Sequence, residues 1–292
     1  MLKRWIPVRV KEFVKQTRAS LVHRHQLRDA AGRVLPDFLI VGAQKCGTTS
    51  LHGQLIQHPL IASSTVKEVH YFDLNYGEGI EWYRAHFPLA SQVKQRPWHD
   101  GSVFRQLTGE ASPYYIYHPY AMERIAEDLP GVKIVVMLRH PVDRAYSSYH
   151  HQVRKGRETE TFETAIELEA ERLAADLAAL ELNPLHEGLA HMYYSYLDRS
   201  RYYPQMRHIL QLFPSSDVLV VESSEYYTQT DLVYQQVLDF LELPAIPTPP
   251  QENVAKFPYP PMRESTRQRL TGEFAPLNEQ LFELIERRFD WR

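Results

Sequence analysis

Residues 37–58 constrain the fold more than any other part of the chain. Within them, 38–41 form a short apolar, partly β-branched run typical of a buried strand, and a loop bounded by glycines follows at 42–47. A helix is predicted from Thr48 onward. In such a strand–loop–helix corner, N–H groups of the loop and of the helix start converge on one point, where the helix dipole adds partial positive charge. The segment therefore predicts an anion-binding corner in an α/β fold.

The spacing within this corner limits which anion it suits. The nucleoside-triphosphate loop reads G-x-x-x-x-G-K-[ST]. Gly42 and Gly47 have that separation, but Thr48 occupies the position of the lysine, and the lysine lies inside the loop as Lys45. The site is therefore poorly matched to a Mg–triphosphate and suits a 5′-phosphate with a different leaving geometry. A generic strand–turn–helix corner with a surface lysine is the simpler alternative.

A second apolar run points to a second anion pocket. Residues 132–138 are almost continuously apolar, as in a central parallel strand, and the run ends at Arg139. Ligands of parallel α/β sheets bind at the carboxyl ends of the strands, and the planar donor fork of arginine suits a phosphate. Pro141 favours a helix start, which places Ser147 about two turns into that helix. A structural ion pair is the alternative role for Arg139.

Charged and aromatic residues alternate between Lys67 and Asp73. On an extended segment, Glu68 and His70 would project to one side. A carboxylate beside an imidazole is suited to proton transfer when it lies within hydrogen-bond reach of the reacting group. An exposed glutamate and a packed histidine would explain the same pattern.

These strings, in this order, resemble the sulfotransferases that use 3′-phosphoadenosine 5′-phosphosulfate (PAPS). The loop Gly-Ala-Gln-Lys-Cys-Gly-Thr-Thr-Ser-Leu is similar to their 5′-phosphosulfate loop, and Arg-x-Pro with a serine eight residues past the arginine is similar to their 3′-phosphate motif. Lys-Glu-x-His-Tyr-Phe-Asp and the late Phe-Asp-Trp resemble the heparan-sulfate (glycan) branch, in a bacterial-type chain. The resemblance runs from about residue 36 to the last residue of the sequence.

The resemblance implies a role for each matching residue. Glu68 would be the catalytic base, and His70 and Asp73 would assist it and hold the acceptor. Lys45 would stabilise the charge that gathers on the bridging oxygen and the leaving phosphate. The residues implied for nucleotide binding are Gln44, Lys45, Cys46, Gly47, Thr48, Thr49, Ser50, Arg139, Ser147, Tyr202 and Lys256. No motif pairs Cys46 with a base, so it is interpreted as a small loop residue rather than a nucleophile.

The sequence departs from the family pattern at two places. Ala111 occupies the position of a lysine that the animal enzymes place near the transferred group, and Glu110 and Ser112 beside it are weaker site candidates. The disulfide-bounded Lys-Gly-Arg loop of the animal enzymes is absent, and Lys256 is its nearest equivalent by position. The Arg-Lys-Gly string at 154–156 is not assigned to the phosphate motif of small-molecule sulfotransferases, because that motif lies near their C-terminus.

The wider pattern predicts a basic arm at residues 1–35 and a single sulfotransferase domain at 36–292. We expect a P-loop-like three-layer α/β/α domain with a mostly parallel central sheet. The less regular predictions are a loop at 91–106, one helix within 157–182, another from 193 to 213, and a last helix from Pro276.

Composition excludes several classes of protein and ligand. The net charge of −3 argues against a general binder of nucleic-acid polymers, and the single cysteine allows no internal disulfide. No apolar run approaches the ~20 residues of a membrane span, and residues 1–35 lack the apolar core of a signal peptide. Their basic and apolar residues fit either weak contact with a membrane surface or an arm packed on the domain. We expect a cytoplasmic enzyme.

The predicted reaction moves a sulfuryl group from PAPS to an acceptor hydroxyl or amine, with a saccharide as the favoured acceptor. No metal is expected, because sulfate carries less charge than phosphate. Lipid and small-metabolite acceptors stay open. A P-loop kinase is a second class, but it would need a lysine after Gly47. A catalytically inactive binding protein is a third, and it would not need to retain both Lys45 and Glu68.

Overall fold

A computed structural model gives the fold and describes residues 26–251 and 258–291. The predicted nucleotide ligand Lys256 and residues 1–25 of the predicted arm lie outside these ranges. The described end of the arm packs on the domain, since Arg33 is 8% exposed and its Nη1 donates to the carbonyl of Phe87 at 2.6 Å. The boundary between arm and domain at residue 35 stays a prediction.

The described residues form seven strands. In chain order they are β1 (Phe38–Gly42), β2 (Ile61–Ser63), β3 (Gln95–Pro97), β4 (Val103–Arg105), β5 (Leu107–Ala111), β6 (Lys133–Leu138) and β7 (Val218–Glu222). Five of them make one sheet in the order β2–β5–β1–β6–β7, and every pair in it is parallel. The other two, β3 and β4, form an antiparallel hairpin.

Helices connect and flank these strands. They are α1 (Thr48–Leu55), α2 (Tyr71–Leu74), α3 (Ile80–Arg84), α4 (Ala121–Asp128), α5 (Pro141–Arg154), α6 (Phe162–Glu167), α7 (Glu169–Leu182), α8 (Leu189–Tyr194), α9 (Tyr202–Leu212), α10 (Ser223–Thr228), α11 (Thr230–Phe240) and α12 (Glu264–Leu284). Short 3₁₀ turns lie at Leu27–Gly32, Tyr76–Glu78, Ala90–Gln92, Asp198–Ser200 and Ser215–Asp217.

The central strands are buried as their apolar sequences predict. Residues 38–41 of β1 are at most 1% exposed, and residues 134–138 of β6 are fully buried. A parallel strand covered on both faces needs no polar alternation, which explains the continuous apolar runs. Because β1 and β6 are adjacent and parallel, their carboxyl ends lie side by side. The loop that follows β1 is therefore next to Arg139, as the sequence predicts.

Three of the predictions made outside the central strands are wrong. The predicted loop at 91–106 contains the β3–β4 hairpin, whose Trp98 stacks on the distant His58 with 6.1 Å between ring centroids. The predicted helix at 157–182 is two helices, because the Thr161 side chain caps α6 and a new helix begins after Leu168. The predicted helix at 193–213 is broken between α8 and α9. The Thr161 cap is a local contact with the Thr164 N–H, whereas the Trp98–His58 contact joins residues far apart in sequence that no local pattern links.

The last predicted helix also begins in the wrong place. It starts at Glu264 and carries Pro276 in its interior. An interior proline removes a backbone hydrogen bond and costs about 3 kcal/mol. Burial of Phe274 and Leu281, one on each side of the proline, offsets that cost.

A glycine in β5 allows the sheet to pack closely. A Cβ atom on Gly109 would lie 2.5 Å from the ring of Phe38, which is 1% exposed. We expect Gly109→Ala to lower the free energy of unfolding by about 1–3 kcal/mol, because the core cannot make room for a methyl group. Urea unfolding at constant m-value measures the change. Gly272→Ala in α12 is the control: its Cβ would meet nothing within 4 Å, so a gain of up to about 1 kcal/mol is expected. Equal effects would contradict the packing argument.

Candidate active site

The loop between β1 and α1 turns the chain sharply from strand into helix. Gly47, at its end, has a φ of +102°, and a Cβ there would lie 3.1 Å from the Tyr227 hydroxyl and 3.2 Å from Cε of Met137. The backbone conformation favours glycine, and a Cβ would fit only if the two side-chain ends shifted. Lys45 also has a positive φ, of 73°. The loop is thus held in one tight conformation at the carboxyl end of β1.

The start of α1 is open to an anion. No side chain caps this helix, so the first N–H groups, from Thr48, Thr49 and Ser50, have no intrahelical partner. Thr48 and Ser50 are both 4% exposed, whereas Thr49 is exposed. Uncapped N–H groups together with the helix dipole favour an anion at this point.

Two cations from neighbouring strand ends meet beside this helix start. Nη1 of Arg139 donates to the carbonyl of Lys45 at 3.5 Å, so the two predicted anion pockets are in direct contact. No carboxylate of the described residues forms an ion pair with either side chain. Burial lowers the pKa of Lys45, and the charges of Arg154 and Arg139 lower it further. The site therefore holds uncompensated positive charge that a bound anion would neutralise.

Two predicted nucleotide ligands lie behind the loop instead of facing its open side. Cys46 is fully buried and Tyr202 is 1% exposed, with 3.8 Å between Sγ and the hydroxyl oxygen. Burial raises the pKa of the Cys46 thiol to about 11, so it is neutral at physiological pH. The two side chains pack the loop against α9, and the expectation that these residues contact the nucleotide stays a prediction. The Tyr202 hydroxyl also contacts the backbone of Arg139, which ties both anion pockets together.

Glu68, His70 and Asp73 form a hydrogen-bonded chain. Nδ1 of His70 lies 2.8 Å from Oδ2 of Asp73, and Nε2 of His70 lies 3.4 Å from Oε2 of Glu68. Burial would lower the pKa of His70, but the two carboxylates outweigh it and raise the pKa to about 10. Burial would raise the pKa of Glu68, but contacts with His70 and Lys67 outweigh it and lower the pKa to about 2. At neutral pH the chain therefore comprises two carboxylates around an imidazolium.

The reason given from sequence for this proximity is wrong. Glu68 and His70 are not on an extended segment, because both have positive φ values, of 62° and 55°. The left-handed conformation folds the segment into a tight turn that leads into α2. His70 is the residue before that helix, which places Asp73 one turn further on. Proximity of the three side chains thus comes from the turn, not from strand parity.

Glu110 and Ser112 hold this strained turn in place. The Glu110 carboxylate is fully buried and accepts from the Val69 N–H at 3.2 Å and from the Ser112 hydroxyl at 2.7 Å. That hydroxyl oxygen in turn accepts from the His70 N–H at 3.2 Å. Burial raises the pKa of Glu110, and its hydrogen bonds oppose that rise. These weaker site candidates therefore position the turn from below rather than facing a substrate.

A cavity of about 470 Å³ opens beside Arg139. Its other lining residues are Asp143, Tyr146, Tyr259, Pro260, Pro261, Met262, Glu264 and Arg267. Arg267 is paired with Asp143 at 2.7 Å, so its charge is balanced, whereas Arg139 has no such partner among the described residues. Ser147 is 8% exposed and lies on α5, the helix that begins just after Arg139. The cavity has the size and the free cation that a phosphorylated nucleoside needs.

Comparison with known proteins decides the family. A family model described as "Sulfotransferase domain" matches residues 35–280. The chain belongs to the sulfotransferase family. A crystal structure of a sulfotransferase from Alicyclobacillus acidocaldarius is 29% identical and superposes with a TM-score of 0.69, over 89% of this chain and 99% of that one. The predicted family and the predicted P-loop-like α/β/α fold of this sulfotransferase are confirmed.

Several curated proteins are similar to this sulfotransferase over part of their length. Membrane-associated sulfotransferase kil1 of Dictyostelium discoideum is 24% identical over 88% of this chain and 67% of its own. Human bifunctional heparan sulfate N-deacetylase/N-sulfotransferase 2 is 32% identical over 71% of this chain and 22% of its own. Human heparan sulfate glucosamine 3-O-sulfotransferase 5 is 31% identical over 72% of this chain and 54% of its own. The chain thus spans little more than half of one human relative and about a fifth of the other.

Sequence reasoning left some residues of the sulfotransferase site unassigned. Ala111 is buried in β5, and the cations that influence Lys45 are instead Arg154 and Arg139. The Arg-Lys-Gly string therefore has one residue near the site, although the string does not match the family motif. His52 is 4% exposed beside Lys67 and Glu68, and its Nε2 has no partner among the described residues. The only sequence feature that could have indicated His52 as a site residue is its position, one helical turn after Thr48.

Two features are absent from the part of this sulfotransferase that the structure describes. Across residues 26–251 and 258–291, no group of three or more His, Cys, Asp or Glu side chains is arranged to hold a metal ion. In the same ranges, no helix is both long and apolar enough to span a bilayer. The expectations of no metal and of weak membrane-surface contact stay predictions.

The charged His70 of this sulfotransferase makes its stability depend on pH. Its folded pKa of about 10 exceeds the ordinary value of 6.5, so its contribution is complete below pH 6.5 and is lost as pH rises towards 10. We expect His70→Gln to destabilise the protein most near pH 6 and least near pH 10. Urea unfolding of both proteins across this range measures the difference. His99→Gln, at an exposed histidine, is the control. A loss that does not change with pH would contradict the assignment.

Proposed function

We propose that this sulfotransferase transfers the sulfuryl group of PAPS to a hydroxyl or amine of a saccharide. The bond between sulfur and the bridging oxygen of the 5′-phosphate breaks, and a bond from sulfur to the acceptor oxygen or nitrogen forms. The acceptor proton passes to Glu68, and 3′,5′-ADP (PAP) leaves. One observation carries the choice of donor: Lys45 and Arg139 lie at adjacent strand ends, linked at 3.5 Å, with no carboxylate partner in the described residues.

The two cations match the two ends of this donor. Lys45 and the uncapped N–H groups of α1 would bind the 5′-phosphosulfate, where negative charge grows as the bond to sulfur breaks. Arg139 and Ser147 would bind the 3′-phosphate in the adjoining cavity. Glu68 would take the acceptor proton, with His70 and Asp73 fixing its orientation. Lys256 belongs to the same proposal by position in the sequence alone.

Thermal unfolding with nucleotides tests the donor. We expect PAP to raise the melting temperature and ATP with Mg²⁺ to leave it almost unchanged, because a ligand that binds only the folded state stabilises it. The reverse order would favour a P-loop kinase. Transfer of ³⁵S-labelled sulfate from PAPS then separates an enzyme from an inactive binding protein.

The saccharide acceptor is proposed from the relatives. Two of them are named as heparan sulfate enzymes, and they align with about 70% of this chain at 31–32% identity. The string at Glu68 and His70, which resembles the heparan-sulfate branch, supports the same choice. The position sulfated, and whether oxygen or nitrogen is attacked, are not part of the proposal. The cytoplasmic location stays a prediction.

A cluster of exposed leucines favours a second acceptor class, one with a hydrocarbon part. Leu182, Leu185 and Leu189 are 89%, 52% and 47% exposed at the turn between α7 and α8. This turn packs against α2, because the guanidinium of Arg124 donates to the carbonyls of both Phe72 and Pro184. Clustered exposed apolar side chains often mark a binding surface. Here they lie beside the helix that carries Asp73.

Matched acceptors separate the two classes. Methyl and octyl glycosides of one sugar present the same hydroxyls with a short or a long hydrocarbon. If the leucines contact the acceptor, the octyl compound should have a KM lower by tenfold or more, and Leu185→Gln should reduce that advantage. A saccharide-only site should treat the two compounds alike. Leu232→Gln, at a leucine on α11 that is 66% exposed, is the control.

A further inference from the structure

A buried arginine that the proposed reaction does not use lies directly behind loop 42–47, the loop that would bind the sulfuryl donor. Arg199 is 1% exposed, and its guanidinium carbon lies 4.8 Å from the ring centroids of both Tyr114 and Tyr117. No carboxylate of the described residues forms an ion pair with it. A buried cation without a counter-ion is costly, so its polar contacts need an explanation.

The polar contacts of Arg199 link α8 to loop 42–47. Its Nη2 donates to the carbonyl of Met192 at 2.8 Å, which anchors the guanidinium to α8. Its Nη1 donates to Oε1 of Gln44 at 3.1 Å. The Ser148 hydroxyl of α5 donates to the same Oε1 at 3.2 Å. Two donors, one from the 3₁₀ turn Asp198–Ser200 and one from α5, therefore converge on one side-chain oxygen of the loop.

This arrangement fixes the orientation of the Gln44 amide. A guanidinium can only donate, so the group facing it must be the amide oxygen and not the amide nitrogen. The NH₂ group then points away from Arg199 and Ser148 and carries two donor hydrogens. No described residue accepts from it, and Nε2 is not among the buried polar atoms that lack a partner. Gln44 directly precedes Lys45, and the free NH₂ group is on the half-buried side chain of a loop that already gathers positive charge.

We infer that Arg199 and Ser148 act as positioning residues that set the Gln44 amide to donate a hydrogen bond to the anion bound by loop 42–47. The inference rests on the proposed function, in which that anion is the 5′-phosphosulfate of PAPS. Arg199 also adds a fixed positive charge behind the loop, close enough to reinforce an anion but screened from direct contact with it. The amide orientation is set before ligand arrives, which lowers the ordering cost of binding.

The variant Gln44→Glu separates this role from a purely structural one. The substitution keeps the shape of the side chain and places a carboxylate against Arg199, so the melting temperature should hold or rise. It also replaces the NH₂ donor by an acceptor with negative charge. We expect the Kd for PAP, measured by calorimetry, to rise roughly 100-fold, since a hydrogen bond to a charged group is lost and repulsion is added. An unchanged Kd with an unchanged or higher melting temperature would overturn the inference.

A double-mutant cycle tests the part played by Arg199. Gln44→Ala alone should raise the Kd for PAP roughly tenfold. In an Arg199→Met background, where the amide is free to rotate, the same change should cost less than threefold. Equal costs in both backgrounds would show that Arg199 does not position the amide. Arg207→Met, at an arginine that contacts the Tyr203 ring on the outside of α9, is the matched control.

The inference about Gln44 can be tested even if PAPS is not the donor. If wild-type protein does not bind PAP, the proposed function is wrong, and the same variants are titrated with inorganic pyrophosphate. The loop geometry predicts the same ranking of affinities for that anion. Equal pyrophosphate affinities across the variants would overturn the inference on its own.

Discussion

Glu68→Gln should lower kcat by about 10²–10⁴-fold and leave the Kd for PAP within twofold of wild type. The range is what a positioned general base contributes. Glutamine has nearly the same shape and its amide oxygen can still accept from either His70 or Lys67, but it cannot accept a proton from the attacking group. Labelled sulfate transfer gives kcat, and calorimetry with PAP gives the Kd.

The two cationic side chains that contact Glu68 determine how basic its carboxylate is. Contacts with His70 and Lys67 outweigh the effect of burial and hold the pKa of Glu68 near 2, so the carboxylate is ionised but weakly basic in the free protein. Nζ of Lys67 contacts Oε1, the oxygen that His70 does not contact. An acceptor that takes the place of Lys67 would make the carboxylate more basic as it binds. Proton transfer would then be coupled to acceptor binding.

Lys67→Gln therefore offers a second readout of the same site. If Lys67 weakens the base, its removal should impair kcat much less than Glu68→Gln does. Glu78→Gln, in the exposed 3₁₀ turn after α2, is the control for a nearby glutamate. Retention of most turnover by Glu68→Gln would refute the assignment of the base, whatever the control shows.

Arg139→Gln should remove the preference for a 3′-phosphate. Wild-type protein should bind PAP much more tightly than 5′-ADP, because only PAP reaches both cations. Loss of one partner of a close charge pair typically costs about 2–5 kcal/mol, so the Kd for PAP should rise by at least about 30-fold. The Kd for 5′-ADP should change far less. Calorimetry with PAP, 5′-ADP and 5′-AMP on both proteins isolates the contribution of the 3′-phosphate, because PAP and 5′-AMP differ only in that group.

The same cavity supplies a matched control. Arg267 also lines it, but its charge is balanced by Asp143 at 2.7 Å. Arg267→Gln should therefore affect PAP less than tenfold. If Arg139→Gln weakened PAP and 5′-ADP equally, the guanidinium would be shaping the loop through the Lys45 carbonyl rather than binding the 3′-phosphate.

The sequence predicted the centre of the fold better than its edges. The two central strands were predicted because apolar runs that end in a glycine loop or an arginine are local patterns, and parallel neighbours bring such strand ends together. The β3–β4 hairpin was missed because Trp98 finds its partner at His58. The early start of α12 was missed because Pro276 is a strong local stop signal that burial of its neighbours outweighs.

The site itself was predicted by residue type more than by geometry. Glu68 and His70 are in contact, but through a left-handed turn held by Glu110 that no periodicity indicates. The contact of Arg199 with Gln44 carries no local signal, because the two residues are 155 positions apart in the sequence. Buried polar support of this kind becomes visible only when the hydrogen bonds are known.

The 3.5 Å contact from the Arg139 guanidinium to the Lys45 carbonyl links the two halves of the proposed nucleotide cleft. A ligand that engages both ends at once gains the effective concentration of an intramolecular second contact. A mononucleotide or a simple oxyanion occupies only one end. Its binding free energy should consequently be much less favourable than half of the binding free energy of a ligand that occupies both ends. Fragments linked by a spacer of the right span would recover avidity that the separate pieces lack.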